Sequence, residues 1–296
     1  MRQCAFLTMD DTAGFVFDDN LAVAPLQSLG WEVSFVSWTD RTAQWDRYEI
    51  VIPRTTWDYH HHLVQFLSVL ETIEKSKAFL ANSLSLIRWN AHKTYLLDLS
   101  QRGIRIVPTV LGHSLNEASL ATLRKQLSTE NIIVKPLVGA NADFTFPLRP
   151  NGPQAVHDEA FASFGKRGFL AQRFMDNVVN EGEFSLFYFN GKYSHAILKT
   201  PKRGDFRVQE EHGGVITAFK PGKALHQAGQ KALDTLTEVP LYARADFVLD
   251  DEGEFCLMEI ELIEPALYFR MDPNSPTRFA EAVDQWMRDD ARQTRN

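Results

Sequence analysis

Ala243-Arg244-Ala245-Asp246-Phe247-Val248 and, beyond the turn Asp250-Asp251-Glu252-Gly253, Met258-Glu259-Ile260-Glu261-Leu262 are the stretch on which the reading of this chain depends. Side chains alternate between the two faces of a strand. Arg244 and Asp246 therefore share one face, and Ala245, Phe247 and Leu249 the other. In the second run Glu259 and Glu261 share a face, with Cys256, Met258 and Ile260 opposite. A turn of even length sets Arg244 across from Glu259 and brings all four polar side chains to one side of a hairpin. Three carboxylates that close raise one another's pKa unless something compensates. A hard divalent cation compensates them, and Mg2+ is usually held by a few carboxylates together with substrate phosphates. The face is either a metal–phosphate site or a hydrated outer surface, where Arg–Glu pairs are common and weak.

Cations stand where a phosphate could use them. Ile132-Ile133-Val134-Lys135-Pro136 ends an apolar strand in a lysine, and a buried strand that ends in a charge delivers it to a cleft. Lys199-Thr200-Pro201-Lys202-Arg203-Gly204-Asp205-Phe206-Arg207 concentrates cations in a chain whose net charge is −7. The segment reads as a phosphate-binding loop or as a solvated basic loop. No Walker-type phosphate loop occurs, and no dinucleotide glycine fingerprint follows the first strand.

Around these motifs the pattern is that of an α/β protein, α+β in part. Strands are expected at Cys4–Leu7, Glu32–Val36 and Ile50–Ile52, with helices over Leu21–Leu29, stopped by Gly30, and Leu63–Ile73. Alternation of this kind makes a parallel sheet with flanking helices, and a first unit ends near Ile87. A helix should follow Asn90, carrying Lys93 early and Leu96, Leu97 and Leu99 inward. A strand is expected over Ile104–Val110. Ser114–Leu127 should be a helix, with Ser114 and Glu117 as its capping box. Asn131–Lys135 reads as a strand, and 139–157 as a loop or hairpin. Strands are expected at Phe169–Phe174, Phe184–Phe189 and Tyr193–Lys199, the last two joined through Asn190-Gly191, a strong hairpin signal. Ala224–Leu236 and Thr277–Arg288 should be helices, with a fraying C-terminus.

The 296 residues are enough for one large domain or several small ones, and 44% hydrophobic with 23% charged residues is ordinary soluble composition. The acidic balance disfavours nucleic acid as a partner. Two cysteines rule out a disulfide framework and fit a reducing compartment. The start MRQCAFLTMDD has too short an apolar run for a signal segment, and no stretch suits a bilayer span. A cytoplasmic protein with no membrane partner is expected.

These pieces, in this order, resemble the ATP-grasp superfamily over roughly residues 90–290. Within it the chain is similar to a glutathione-synthetase-like group that includes the cycloserine-forming ligase. The shared wording is Trp57-Asp58-Tyr59, Lys199-Thr200-Pro201-Lys202, Gly204-Asp205-Phe206-Arg207 and Glu259-Ile260-Glu261-Leu262-Ile263-Glu264-Pro265. The resemblance implies an ATP-grasp fold behind a small parallel-sheet domain. Residues 1–88 would be the preceding domain, 89–175 the lid and linker region, and 176–296 the C-terminal catalytic subdomain. It implies ATP as cosubstrate and two Mg2+ ions, for which Mn2+ could substitute. Lys93 and Lys135 would contact its phosphates, Lys135 also lying near the adenine. Gln172, Arg173 and Phe174 would read the adenine edge, and Glu183 would bind the ribose. Asp246, Glu259 and Glu261 would ligate the metal ions. Lys199, Arg207 and Arg244 would be the catalytic cations, and residues around 139–146 the lid. Glu261 stands where the superfamily has asparagine, and the lid is poorer in glycine than usual.

The implied reaction turns a substrate carboxylate into an acyl phosphate, which an amine then captures. Its partners are a small carboxylate and a small amine of amino-acid or peptide type, and the relatives suggest a homodimer. Intramolecular closure of the cycloserine-forming kind, a kinase that stops at the phosphorylated product, and a nucleotide-binding regulator are alternatives. Substrate residues are sought in the first unit, at strand ends that open onto a cleft. Asp10, Asp11, Asp18 and Asp19 suit an amine, guanidino or ureido group or form a solvated acidic loop. Arg54 and Asp58 lie beside Trp57 and Tyr59. His60-His61-His62 reads as an exposed loop, because adjacent histidines seldom converge on one ion without a ligand from elsewhere.

Overall fold

The computed structural model describes residues 1–293, with side chains to 289. The expected fraying of the last residues falls outside them in part.

Strands β1 (Arg2–Thr8), β2 (Trp31–Ser37), β3 (Ile50–Thr55) and β4 (Phe79–Leu80) form a parallel sheet of order β2-β1-β3-β4. Helices α1 (Val23–Ser28) and α2 (Leu63–Glu74) connect them. Parallel sheets need both faces covered. Ala5, Leu7 and Val51 pack beneath Phe66, Leu70 and Ile73 of α2. Cys4, Phe6, Ile50 and Ile52 on the other face meet the C-terminal helix, introduced below, through Phe279 and Val283.

Helices α3 (Leu84–Asn90) and α4 (Tyr95–Gln101) come next. The helix expected after Asn90 is α4, which begins only at Tyr95; Lys93 lies in the break before it, its N–H donating to Leu137 O at 2.7 Å. Then follow β5 (Thr109–Gly112), α5 (Glu117–Gln126), β6 (Ile132–Pro136), β7 (Phe146–Leu148), α6 (Gln154–Phe164) and β8 (Phe169–Arg173). The strands make an antiparallel sheet of order β5-β8-β6-β7, with α5 and α6 on one face through Leu120, Leu123, Ala160 and Phe164. The strand expected over Ile104–Val110 begins only at Thr109. The capping box of α5 is Asn116 with Ser119, and Ser114 instead donates its hydroxyl to Gly165 O.

The largest sheet contains β9 (Glu183–Phe189), β10 (Lys192–Thr200), β11 (Val215–Phe219), β12 (Tyr242–Leu249) and β13 (Phe255–Glu261), in the antiparallel order β11-β10-β9-β12-β13. The short α7 (Asn177–Asn180) precedes it, α8 (Lys223–Asp234) lies against it, and α9 (Ser275–Gln293) returns to the N-terminal sheet. Asn190 (φ 46°) and Gly191 (φ 71°) make the β9–β10 turn, the left-handed pair that a two-residue hairpin requires. One face of this sheet is apolar: Phe184, Leu186, Ala243, Ala245, Phe247 and Ile260 meet Leu225, Ala232 and Leu233 of α8 and Leu96 and Leu99 of α4. Gly229 lets α8 come close, since a Cβ there would stand 2.1 Å from Tyr188 Oη. No helix among the described residues is long and apolar enough to cross a membrane.

Candidate active site

The other face of the large sheet is polar, and its register explains why. Asp246 pairs with Ser185 on one side and Glu259 on the other, Arg244 with Phe187 and Glu261, and Lys199 with Glu183. Directly opposed residues share a face, so six charged residues from four strands project together. The register differs by two residues from the even-turn expectation: Arg244 faces Glu261, not Glu259. A bulge at Met258, the extra residue between Glu259 and Leu257, returns Leu257 to the apolar side opposite Phe247.

The edge strand β13 is held by side chains. Asn90 donates to Ile260 O (2.7 Å) and accepts from Leu262 N (2.8 Å), and Ile260 N donates to Tyr95 Oη (3.1 Å). These bonds satisfy backbone groups that an open sheet edge leaves unpaired.

A dense ionic network covers the polar face. Arg244 grips Asp246 through Nε and Nη2 at 3.0–3.1 Å and also pairs with Glu261. Lys199 lies 2.6 Å from Glu183 Oε1 and 3.5 Å from Asp246 Oδ1, Ser185 Oγ donates to Asp246 at 2.5 Å, and Lys93 pairs with Glu259. Burial works to raise the Asp246 pKa, but Arg244 and Lys199 outweigh it and hold the carboxyl below its usual range. For Glu261 burial wins over Arg244, and Glu259 adds to it, so the pKa is pushed up to about 7. Burial likewise lowers the Lys135 pKa against the pull of Glu259. The site thus keeps its charges by mutual neutralisation, the condition under which buried ions persist.

The face forms the floor of a cleft whose opposite wall is the β5–β8 sheet. One end is apolar, lined by Val107, Ile133, Phe174, Met175, Val178 and Met258, and the other is charged. Lys93, Lys135, Gln172, Arg173, Phe174, Glu183, Lys199, Arg207, Arg244, Asp246, Glu259 and Glu261 all line it, so twelve residues scattered over the sequence are brought together. Two of them are engaged elsewhere. Arg207 forms a two-point pair with Asp205 of its own loop (3.1 and 2.7 Å), and the Arg173 guanidinium reaches out to Asp251. Residues 139–143 and 145 close over the cleft, with Asn141, Ala142 and Phe144 in the left-handed region.

None of the four substrate candidates in the first unit lines the cleft. Asp10 is exposed and accepts from Ser37 and Thr39, and Asp11 accepts from Ala13 N in its own loop. Asp58 takes the Trp38 indole N–H at 2.7 Å. Arg54 is buried, bonded to Asp19 (2.8 Å) and Pro265 O (2.7 Å), where it ties the first unit to the end of the polar sheet. Asp18 pairs with Arg270. In their place the first unit contributes Phe15, Val16, Trp57 and Tyr59. Glu264 and Tyr268 are further lining residues that strand alternation could not find, since both lie beyond the end of β13. Glu264 is buried, and burial first, then Glu261, drive its pKa well above the usual carboxylate range. His60 and His61 do gain a partner from elsewhere, Asp143.

With the geometry in place, comparisons with known proteins are decisive. The N-terminal domain model of D-cycloserine synthetase DcsG matches residues 4–82. The cycloserine biosynthesis protein DcsG of Streptomyces lavendulae is 27% identical over 279 residues, covering 87% of this chain and 89% of that protein. The crystal structure of D-cycloserine synthetase DcsG superposes with a TM-score of 0.83 at 23% identity, covering 96% of this chain and 99% of the other. D-alanine–D-alanine ligase of Bacillus anthracis gives 0.71 at 10% identity, covering 99% and 100%, and its complex with ATP gives 0.70. These likenesses show the fold. It is the ATP-grasp fold preceded by a parallel four-stranded sheet, as the motif order implied, and the proteins the chain resembles are ligases and synthetases.

Proposed function

We propose that this ATP-grasp chain is an ADP-forming carbon–nitrogen ligase that activates the carboxylate of an amino-acid-like substrate as an acyl phosphate. The observation that carries this reading is the convergence of Asp246, Glu259 and Glu261 with Lys93, Lys135, Lys199 and Arg244 around one cleft. The three-part division at 88 and 175 is kept as part of the proposal.

The donor set fits a hard divalent cation. Asp246, Glu259 and Glu261 offer only oxygen ligands on one rigid face, and each already faces a cationic partner. These three would hold two Mg2+ ions, and bound ions supply charge neutralisation for phosphoryl transfer. Two divalent cations offset a nucleoside triphosphate, so filling the site preserves the charge balance of its walls. The apolar end suits a planar base, and Met175 N–H has no acceptor among the described residues and can meet the base edge. Glu183 would take the ribose hydroxyls.

Lys93, Lys135 and Lys199 would steady the phosphates, and Arg207, once released from Asp205, the transferred phosphoryl group. Arg244 would donate to the tetrahedral oxyanion. The lid would exclude water from the acyl phosphate. Glu264 and Tyr59 at the charged end suit the nitrogen of the substrate.

Incubation with a panel of amino acids and their O-substituted derivatives, scored by phosphate release and mass spectrometry, tests the proposal. ADP formation that requires both a carboxylate and a nitrogen nucleophile is expected. ADP formation with one acceptor and a product heavier by a phosphoryl group would indicate a kinase, and tight ATP binding without turnover a regulator. Similarity to cycloserine synthetases over most of both chains favours one refinement, in which carboxylate and nitrogen belong to one molecule. Turnover on a single substrate with loss of water identifies that case.

A further inference from the structure

The lid meets the first unit at a point the ligation chemistry does not use. His60 and His61 lie on a turn of 3-10 helix, Tyr59–His61, just after β3, and Asp143 stands on the lid. His60 Nε2 is 3.3 Å and His61 Nε2 3.9 Å from Asp143 Oδ2. One ligand atom from each residue lies within 4.8 Å of the others. Around a tetrahedral ion with bonds of about 2.0–2.1 Å, ligand atoms stand about 3.3 Å apart. Closing this set onto an ion takes side-chain movements on the order of 1 Å.

The surroundings of His60 prepare it for that task. Its Nδ1 lies 2.9 Å from Trp57 O and its Nε2 3.3 Å from Asp143 Oδ2, so with an ion between ring and carboxylate the proton would stay on Nδ1 and Nε2 would face the ion. A backbone carbonyl on the distal nitrogen is the usual means of orienting a metal-bound histidine. The His60 side chain is only 7% exposed, and the His61 ring lies against it at 3.9 Å between centroids. Burial first, and His61 second, keep the His60 pKa below its ordinary value.

We propose that His60, His61 and Asp143 form a site for a borderline-soft divalent ion of the Zn2+ class, separate from the carboxylate face, and that an ion there fastens the lid to the first unit. Two imidazoles and one carboxylate suit Zn2+ and not Mg2+. Three protein ligands leave a fourth position for water. The site does not rest on the ligase reading, since none of its members belongs to the carboxylate face.

The full chain, free of nucleotide and Mg2+, is titrated with ZnCl2 by calorimetry, and the lid is probed by limited proteolysis across residues 139–146. One ion per chain and slower cleavage of the lid are expected. Asp143→Asn and His61→Ala, both at exposed positions, should each weaken binding by about tenfold or more. Glu259→Gln should bind as the parent does. Co2+ in place of Zn2+ should give a visible absorption band that Asp143→Asn removes. The proposal is overturned if no ion binds at micromolar concentration. It is equally overturned if Glu259→Gln abolishes binding while Asp143→Asn leaves it intact, because the ion then sits among the carboxylates.

Discussion

The polar floor of the cleft and the rim that faces it from the first unit are built on opposite principles. On the floor Glu183, Lys199, Arg244, Asp246, Glu259 and Glu261 ride on strands, are fixed by cross-strand register, and each has a counter-charge within reach. The rim is made of loop residues, Phe15, Val16, Trp57, Tyr59 and the lid, several of them aromatic. Rigid elements hold groups to the tolerance that phosphoryl transfer needs, whereas loops can vary without disturbing the sheet. On the proposed function the floor would carry the reaction and the rim the choice of substrate.

The largest test of this division is on the floor. Asp246→Asn and Glu259→Gln should each lower kcat by about a thousandfold or more, with the denaturation midpoint nearly unchanged. Normal ATP turnover with every acceptor would break the assignment. Next is Asn90→Ala, which strips the pins from β13 and leaves Ile260 O and Leu262 N buried without partners. A loss of about 3 kcal/mol in chemical denaturation is expected, and a loss below about 1 kcal/mol would show that water replaces the side chain.

His195 provides a pH test. It stacks on Phe187 at 4.2 Å, and burial pushes its pKa down to about 4, against the hydrogen bond to Leu267 O. Because the folded-state value is depressed, its contribution is fully present above about pH 6.5 and is lost as pH falls toward 4. At pH 5 the chain should be less stable by about 2 kcal/mol from this source, and His195→Gln should flatten that part of the profile. An unchanged slope in the variant would remove His195 as the cause.

Smaller effects belong to the rim. Glu264→Gln should raise KM for the nitrogen-bearing substrate by about tenfold with less effect on KM for ATP; equal changes in both would place Glu264 with the floor. The least is expected from Ala142→Gly, where φ is 58°. Relief of a left-handed alanine should stabilise by up to about 1 kcal/mol, visible as a small rise in Tm.

The same contrast explains what could be read from the amino acids. Alternation in 243–249 and 258–262, the lysine at the end of Ile132–Lys135 and the Asn190-Gly191 turn are local signals of regular strands, and the structure follows them. The bulge at Met258 carries no such mark, so the partner of Arg244 came out two residues away. Helix α6 was not foreseen, because QAVHDEAFASF buries little beyond Ala160 and Phe164. Nor was β11, an exposed edge strand without alternation. Asp10, Arg54 and Asp58 lie off the cleft lining, each with a partner that only tertiary structure supplies, and Asp11 accepts from Ala13 N in its own loop. Glu264 stood in plain view within the quoted motif, but its burial comes from the chain turning back after Glu261.

Lys93 and Glu259 hold one another across the junction of α4 and the edge of the large sheet. A ligand for either one frees the other. Whatever engages the carboxylate presents a released ammonium to the nucleotide, and whatever engages the ammonium exposes the carboxylate. Such an arrangement is reciprocal by thermodynamic necessity. Cation and triphosphate should each sharpen the other's affinity, so the chain would discriminate against nucleotide that arrives without its metal.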